Sequence, residues 1–74
     1  MKRFFKYRGY DCKVVSWSVP TPSENSELHY AYAEVGKKGV WVGHSPTFEG
    51  VDCRQQAEKS AKDGIDSFLL EKTS

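Results

Sequence analysis

The sequence has few cysteines and lacks any long apolar run. Its two cysteines, Cys12 and Cys53, are too few for the disulfide framework of a small secreted protein. Near the N-terminus Phe4 and Phe5 stand among lysines and arginines, so we expect neither a signal peptide nor a membrane-spanning helix. These absences predict a cytoplasmic protein with two reduced thiols and no membrane contact; the alternative for the thiols is a Cys12–Cys53 disulfide.

Net charge is also scarce. At +1, the chain has no bulk attraction to nucleic acid or to an anionic membrane. The charge is unevenly distributed, because residues 1–13 contain Asp11 as their only acidic residue. The basic residues of the same segment are Lys2, Arg3, Lys6, Arg8 and Lys13. A small basic N-terminal strip is therefore predicted.

Motifs that carry chemistry are missing as well. The sequence contains no glycine-rich phosphate loop, serine nucleophile motif or carboxylate pair. Cys12, His29, His44 and Cys53 are zinc-ligating residue types, but they are far apart, whereas zinc ligands usually come in close pairs. Cys53 begins the predicted helix but belongs to its apolar stripe. We therefore expect no enzyme activity, no metal, no cofactor and no small-molecule substrate.

One sharp change of hydrophobic period, at Asp52, is the most informative feature that the sequence does have. Before Asp52, apolar and polar residues alternate, as around Val15, Trp17 and Val19. After it, apolar residues recur at three- and four-residue steps: Cys53, Ala57, Ala61, Ile65, Phe68 and Leu69. Period two followed by period 3.6 predicts an α+β fold in a single domain, residues 1–74, with one C-terminal helix.

The predicted strands lie within residues 2–44 and are antiparallel. They span residues 2–7, 10–19, 28–35 and 39–44. Arg8-Gly9 forms a two-residue turn of type I′ or a short bulged loop, and residues 36–39 form a second hairpin turn between two glycines. The four strands form either one sheet or two small hairpin sheets, and Phe48 is expected to anchor the following loop to the core.

The predicted helix runs from residue 53 to about residue 72. Asp52 is a good N-cap, and Gln55 can complete a capping box. Gly64 falls on the buried stripe, which suggests close packing against a bulky sheet residue such as Trp17. Small residues at the start of the stripe predict that the helix approaches the sheet closely.

Several short patterns occur together in a fixed order along the chain. They are Tyr7-Arg8-Gly9-Tyr10, the strand residues Ala31, Ala33 and Val35, Phe48, and the helix residues Ala57, Ala61 and Ile65-Asp66. This order resembles a loose group of small uncharacterised bacterial and prophage proteins with strands first and one helix last. The resemblance implies an accessory or assembly component rather than an enzyme.

Aromatic residues are the candidate binding residues. Tyr30 and Tyr32 point to one side of their strand, opposite Ala31 and Ala33. A single helix covers only one side of a sheet. If it covers the alanine side, the chain exposes a surface of Tyr30, Tyr32 and Trp41 with Lys37 and Lys38 at its rim. The alternative is that these rings fill the space between two hairpins.

An exposed aromatic surface suits two kinds of partner. Tyrosine and tryptophan are enriched at protein contacts, so binding to another protein, or to a second copy, is the favoured interpretation. The same rings, together with Lys2, Arg3, Lys6 and Arg8, are also typical of single-stranded nucleic-acid binding. An exposed strand edge is a further possible contact with a protein.

Overall fold

A computed structural model of the chain describes residues 1–22 and 26–73. It has one antiparallel sheet and one C-terminal helix, which confirms the predicted α+β fold. The elements are β1 (Lys2–Tyr7), β2 (Tyr10–Pro20), β3 (Glu27–Lys37), β4 (Val40–His44), β5 (Phe48–Glu49) and α1 (Cys53–Thr73). The observed helix therefore begins at the predicted residue.

The strands form one sheet, which decides between the two predicted arrangements. Its order is β1-β2-β3-β4, and the short β5, which was not predicted, also pairs with β3. His44 lies opposite Glu34, and Phe48 lies opposite Ala31, so β4 and β5 follow one another along the same edge of β3. Phe48 packs against the core, as expected.

Two tight turns set the register of the hairpins. Arg8 and Gly9 both have positive φ, at 51° and 85°, and Lys38 and Gly39 repeat this pattern at 54° and 80°. Positive φ at both central residues is the conformation of a type I′ turn, whose twist matches that of paired strands. The second turn is shorter than predicted, because Gly36 is part of β3.

The core between sheet and helix is built mainly from small side chains. Its main cluster consists of Val14, Ala31, Ala33, Cys53, Ala57 and Ala61. A second cluster, closer to the C-terminal end of α1, contains Tyr10, Cys12 and Ile65. Because alanines on β3 meet alanines on α1, the helix lies close to the sheet. The alanine side of β3 is thus the side that the helix covers.

Polar contacts join β1 to the helix. Arg3 pairs with Glu58 at 3.2 Å, and Lys62 reaches the same carboxylate at 3.7 Å. Arg8 pairs with Asp66 at 2.8 Å, and the Tyr7 hydroxyl lies 3.0 Å from each Asp66 oxygen. The first strand is therefore fixed to α1 at both of its ends.

The prediction that Gly64 packs closely against a bulky sheet residue such as Trp17 is wrong. Gly64 is exposed, and a Cβ at this position would meet no atom within 4 Å. Trp17 lies opposite Tyr30, on the side of the sheet away from the helix. Tyr10, Cys12 and Val14 supply the buried side of β2, so Trp17 falls on the other side by alternation.

The helix begins with a side-chain contact from Asp52. Its Oδ1 accepts a hydrogen bond from Nε2 of Gln56 at 2.7 Å, one residue beyond the predicted partner Gln55. The backbone N–H of Gln56 donates to the Asp52 carbonyl at 3.0 Å, which closes the first turn of α1.

Candidate interaction surface

The side of the sheet that faces away from α1 is here called the open face. Alternation from the buried alanines of β3 places Tyr30, Tyr32 and Glu34 on it, and the cross-strand register adds the facing residues of β2. Its members include Lys2, Phe4 and Lys6 of β1, Asp11, Lys13, Val15, Trp17 and Val19 of β2, Leu28, Tyr30, Tyr32 and Glu34 of β3, Trp41 of β4 and Glu49 of β5. Three of the five predicted site residues thus share this face.

Three aromatic side chains pack together on the open face. Trp17 stacks on Tyr30 with ring centroids 5.7 Å apart, and it meets Tyr32 edge to face at 5.9 Å. Both tyrosines are half-buried, and Trp17 is 41% exposed. Contact between the rings restricts their rotamers while leaving one side of the cluster in water. The result is a fixed apolar platform.

Trp41 lies at the β4 side of the open face and rests on a glycine. Gly36 lies opposite it, and a Cβ at Gly36 would be only 2.8 Å from Cε3 of Trp41. The Lys13 ammonium lies 4.8 Å from the indole centroid and also pairs with Glu34 at 3.2 Å. The indole is therefore held in place although 49% of Trp41 is exposed.

Two pairs of opposite charge lie on the open face. Besides Lys13 and Glu34, Lys6 lies 3.9 Å from Asp11. Arg3 and Arg8, in contrast, extend to carboxylates of α1 on the other side of the sheet. The predicted basic N-terminal strip is thus divided between two sides of the sheet.

The two lysines predicted at the rim occupy different places. The Lys37 ammonium lies 4.9 Å from the ring of Tyr10, a core residue, so its side chain is on the helix side of the sheet. Lys38 occupies the turn between β3 and β4. Lys37 therefore does not border the open face, because Gly36 belongs to the strand and shifts Lys37 to the other side.

Trp17, which stacks on Tyr30, and the exposed Phe4 are aromatic residues of the open face that were not predicted as site residues. The available signal for Trp17 was the alternation of Val15, Trp17 and Val19 along β2. Pairing of β2 with β3 places Trp17 directly opposite Tyr30.

The candidate zinc ligands are not assembled. His29 lies on β3, opposite Ser18 of β2. His44 lies on β4, opposite Glu34, which is farther along β3 than His29. Among the described residues, no group of three or more His, Cys, Asp or Glu side chains could hold a metal ion. Cys12 and Cys53 are both buried and unbridged. Burial raises the pKa of the Cys12 thiol, which makes it a poor nucleophile.

Comparisons with known proteins leave the open face as the main guide to function. No protein-family model, curated protein or solved structure matches the chain. Within residues 1–22 and 26–73 there is no helix with the length and apolar content that a membrane crossing requires. The fold and the site together define a small α+β domain with a one-sided aromatic sheet surface.

Proposed function

We propose that the chain is a non-enzymatic protein-interaction module, an assembly or accessory component of the bacterial and prophage type, that binds through its open face. The observation that carries this proposal is that α1 covers one side of the sheet while Trp17, Tyr30, Tyr32 and Trp41 lie on the other. Contiguous exposed apolar surface marks contact sites, and tyrosine and tryptophan are enriched where binding energy concentrates. Two unbridged cysteines support a cytoplasmic location.

Single-stranded nucleic acid has less support as the partner. Phosphate binding needs lysines and arginines that are free to replace counterions. On the open face Lys6 and Lys13 already have carboxylate neighbours, and Arg3 and Arg8 lie on the helix side. Protein contact, in contrast, accepts paired charges around an apolar centre.

The positions of the tryptophans provide a direct test. The chain has two tryptophans, and both lie on the open face. The tagged wild-type protein is used as bait, as are the tagged Trp41→Ala and Leu70→Ala variants. The proteins that they retain are purified and then titrated into the wild type and into each variant. Wild type and Leu70→Ala, a control at an exposed apolar residue of α1, should bind equally and show a shift in tryptophan emission. Trp41→Ala should bind about thirtyfold more weakly, as expected for a hot spot.

Two results would contradict the proposal. Saturating binding with unchanged tryptophan emission would place the contact elsewhere on the molecule. Tight binding to a single-stranded oligonucleotide, with affinity that falls steeply as salt rises, would instead favour the nucleic-acid alternative.

A further inference from the structure

The chain exposes more surface than a compact protein of its length. A monomer of 74 residues is expected to expose about 4,600 Å² and to have a radius of gyration of about 11 Å. This chain exposes 5416 Å² and has a radius of gyration of 14.2 Å. The excess, roughly 800 Å², accompanies the elongated shape of the chain and is similar in size to the area that each partner buries in a standard protein interface.

Part of the exposed apolar surface lies on the open face, and other exposed apolar side chains lie on β4 and α1. The large apolar residues of the open face that are 40% exposed or more are Phe4, Trp17, Val19, Leu28 and Trp41. Trp17, Val19 and Leu28 form a strip at one end of β2 and β3, whereas Phe4 on β1 and Trp41 on β4 lie farther along the sheet, beside the Lys13–Glu34 pair. Beyond the part of the sheet that α1 covers, β2 and β3 continue as a paired arm from Trp17 to Pro20 and from Glu27 to Tyr30. A broad, flat partner surface covers these residues more completely than a narrow partner does.

The charges of the open face favour a second copy of the same chain. Its basic residues Lys2, Lys6 and Lys13 are balanced by its acidic residues Asp11, Glu34 and Glu49. Lys2 and Lys6 lie on β1 at one edge, whereas Glu34 and Glu49 lie toward the opposite edge. A two-fold axis parallel to the strands therefore sets the basic edge of one copy against the acidic edge of the other. The arginines Arg3 and Arg8 are fixed on the helix side, outside the contact.

We infer that two copies of this chain pack their open faces together, sheet on sheet, with the Trp17–Tyr30 stack near the centre. This assignment rests on the proposed function and names its partner. Two antiparallel sheets packed in this way lie about 10 Å apart, with interdigitated side chains and helices on the outside. Each copy then buries aromatic rings on the side of the sheet that its own helix leaves uncovered.

Sedimentation equilibrium tests the assignment. Wild type should change from monomer to dimer between about 10 µM and 1 mM, the range that corresponds to a weak to moderate interface. Its tryptophan emission should shift to shorter wavelength over the same range, because both indoles lose water. Trp41→Lys should raise the dissociation constant at least thirtyfold, or about 2 kcal/mol. Leu70→Lys, a matched change on α1, should dimerise like wild type.

The outcomes separate the two proposals. A wild-type chain that stays monomeric at about 1 mM overturns the second-copy assignment. If such a monomer still binds another protein in a way that depends on Trp41, the open face remains an interaction site for that protein. A dimer that Trp41→Lys leaves intact, in a variant with wild-type circular dichroism, also overturns the assignment. Phe4→Lys, at a residue 68% exposed on the same face, repeats the test without changing the Trp41 seat.

Discussion

Single side chains account for much of the surface that this chain presents. Trp41 can lie flat on β3 because its neighbour across the strands is a glycine, and Lys13 bridges the indole and Glu34. Aromatic and ionic neighbours of this kind reduce the side-chain entropy that is lost on binding, since the side chains are already ordered. The glycine is therefore as important to the open face as the rings are.

Replacement of Gly36 tests this arrangement. In Gly36→Ala the new methyl group meets Cε3 of Trp41 at 2.8 Å and the Val40 carbonyl oxygen at 3.0 Å. We expect a loss of about 1–3 kcal/mol in the free energy of unfolding, together with a change in tryptophan emission. Gly43→Ala is the control, because a Cβ there meets nothing within 4 Å. Equal stability of the two variants in urea would contradict the seating of Trp41 on Gly36.

Asp66 is the residue through which the turn after β1 responds to pH. The Arg8 guanidinium first, and then the Tyr7 hydroxyl, hold the pKa of Asp66 below its ordinary value of 3.8. The same contact raises the pKa of Tyr7, because the carboxylate accepts its hydroxyl proton in a hydrogen bond. A lowered carboxyl pKa stabilises the fold above the ordinary value, and this stabilisation is lost as pH falls through the folded-state pKa.

Asp66→Asn should therefore change stability in a pH-dependent way. Relative to wild type, its free energy of unfolding is expected to be lower at about pH 7, and this deficit should shrink toward about pH 3. Urea titrations at several pH values measure the deficit at about pH 7 and its change toward about pH 3. Asp63→Asn, one turn earlier on α1, serves as the control and should show little of this dependence. A deficit that is constant across the pH range would show that the ionised carboxylate is unimportant.

At the scale of elements, the periods of the sequence predicted the strands and helix but not which side of β2 is buried. Val14 and Val15 are adjacent apolar residues, so alternation alone fits either side. Pairing with β3 decides, because it sets Val14 opposite the buried Ala33 and Val15 opposite Tyr32. Helix boundaries were predictable because Asp52 and the small-residue stripe are local signals. The β3–β4 hairpin was predictable from the glycines of its turn, whereas the pairing of the short β5 with β3 joins residues that are distant in the sequence and was not predicted.

Gly64 also concerns how the helix packs against the sheet, since its surroundings differ from those expected. It lines a groove of about 460 Å³ between β4 and α1, together with Val42, Ile65 and Phe68. Gly64→Ala should therefore raise the free energy of unfolding by about 0.5–1 kcal/mol, because alanine is the better helix former and the space is open. Thermal or urea unfolding measures this. A destabilised variant would show that a sheet side chain packs against the glycine after all.

On the scale of the whole molecule, the chain is long and thin, with extents of 51 × 23 × 14 Å. One helix cannot cover both sides of a sheet that contains eleven-residue strands. The sequence predicted this imbalance, because it holds one helix and four main strands, and its prediction that Tyr30, Tyr32 and Trp41 share one face agrees with the strand register. It did not predict that charges would be paired on that face, since the pairs join residues of different strands.

The division of the core into two clusters has a practical consequence. Cys53 belongs to the cluster near the start of α1, and Cys12 belongs to the cluster near its C-terminal end. A water-borne alkylating reagent reaches each sulfur only when its own cluster opens. Mass spectrometry of the peptides that contain Cys12 and Cys53 therefore measures two alkylation rates. In the wild-type chain these rates report separately how often each end of the helix leaves the sheet.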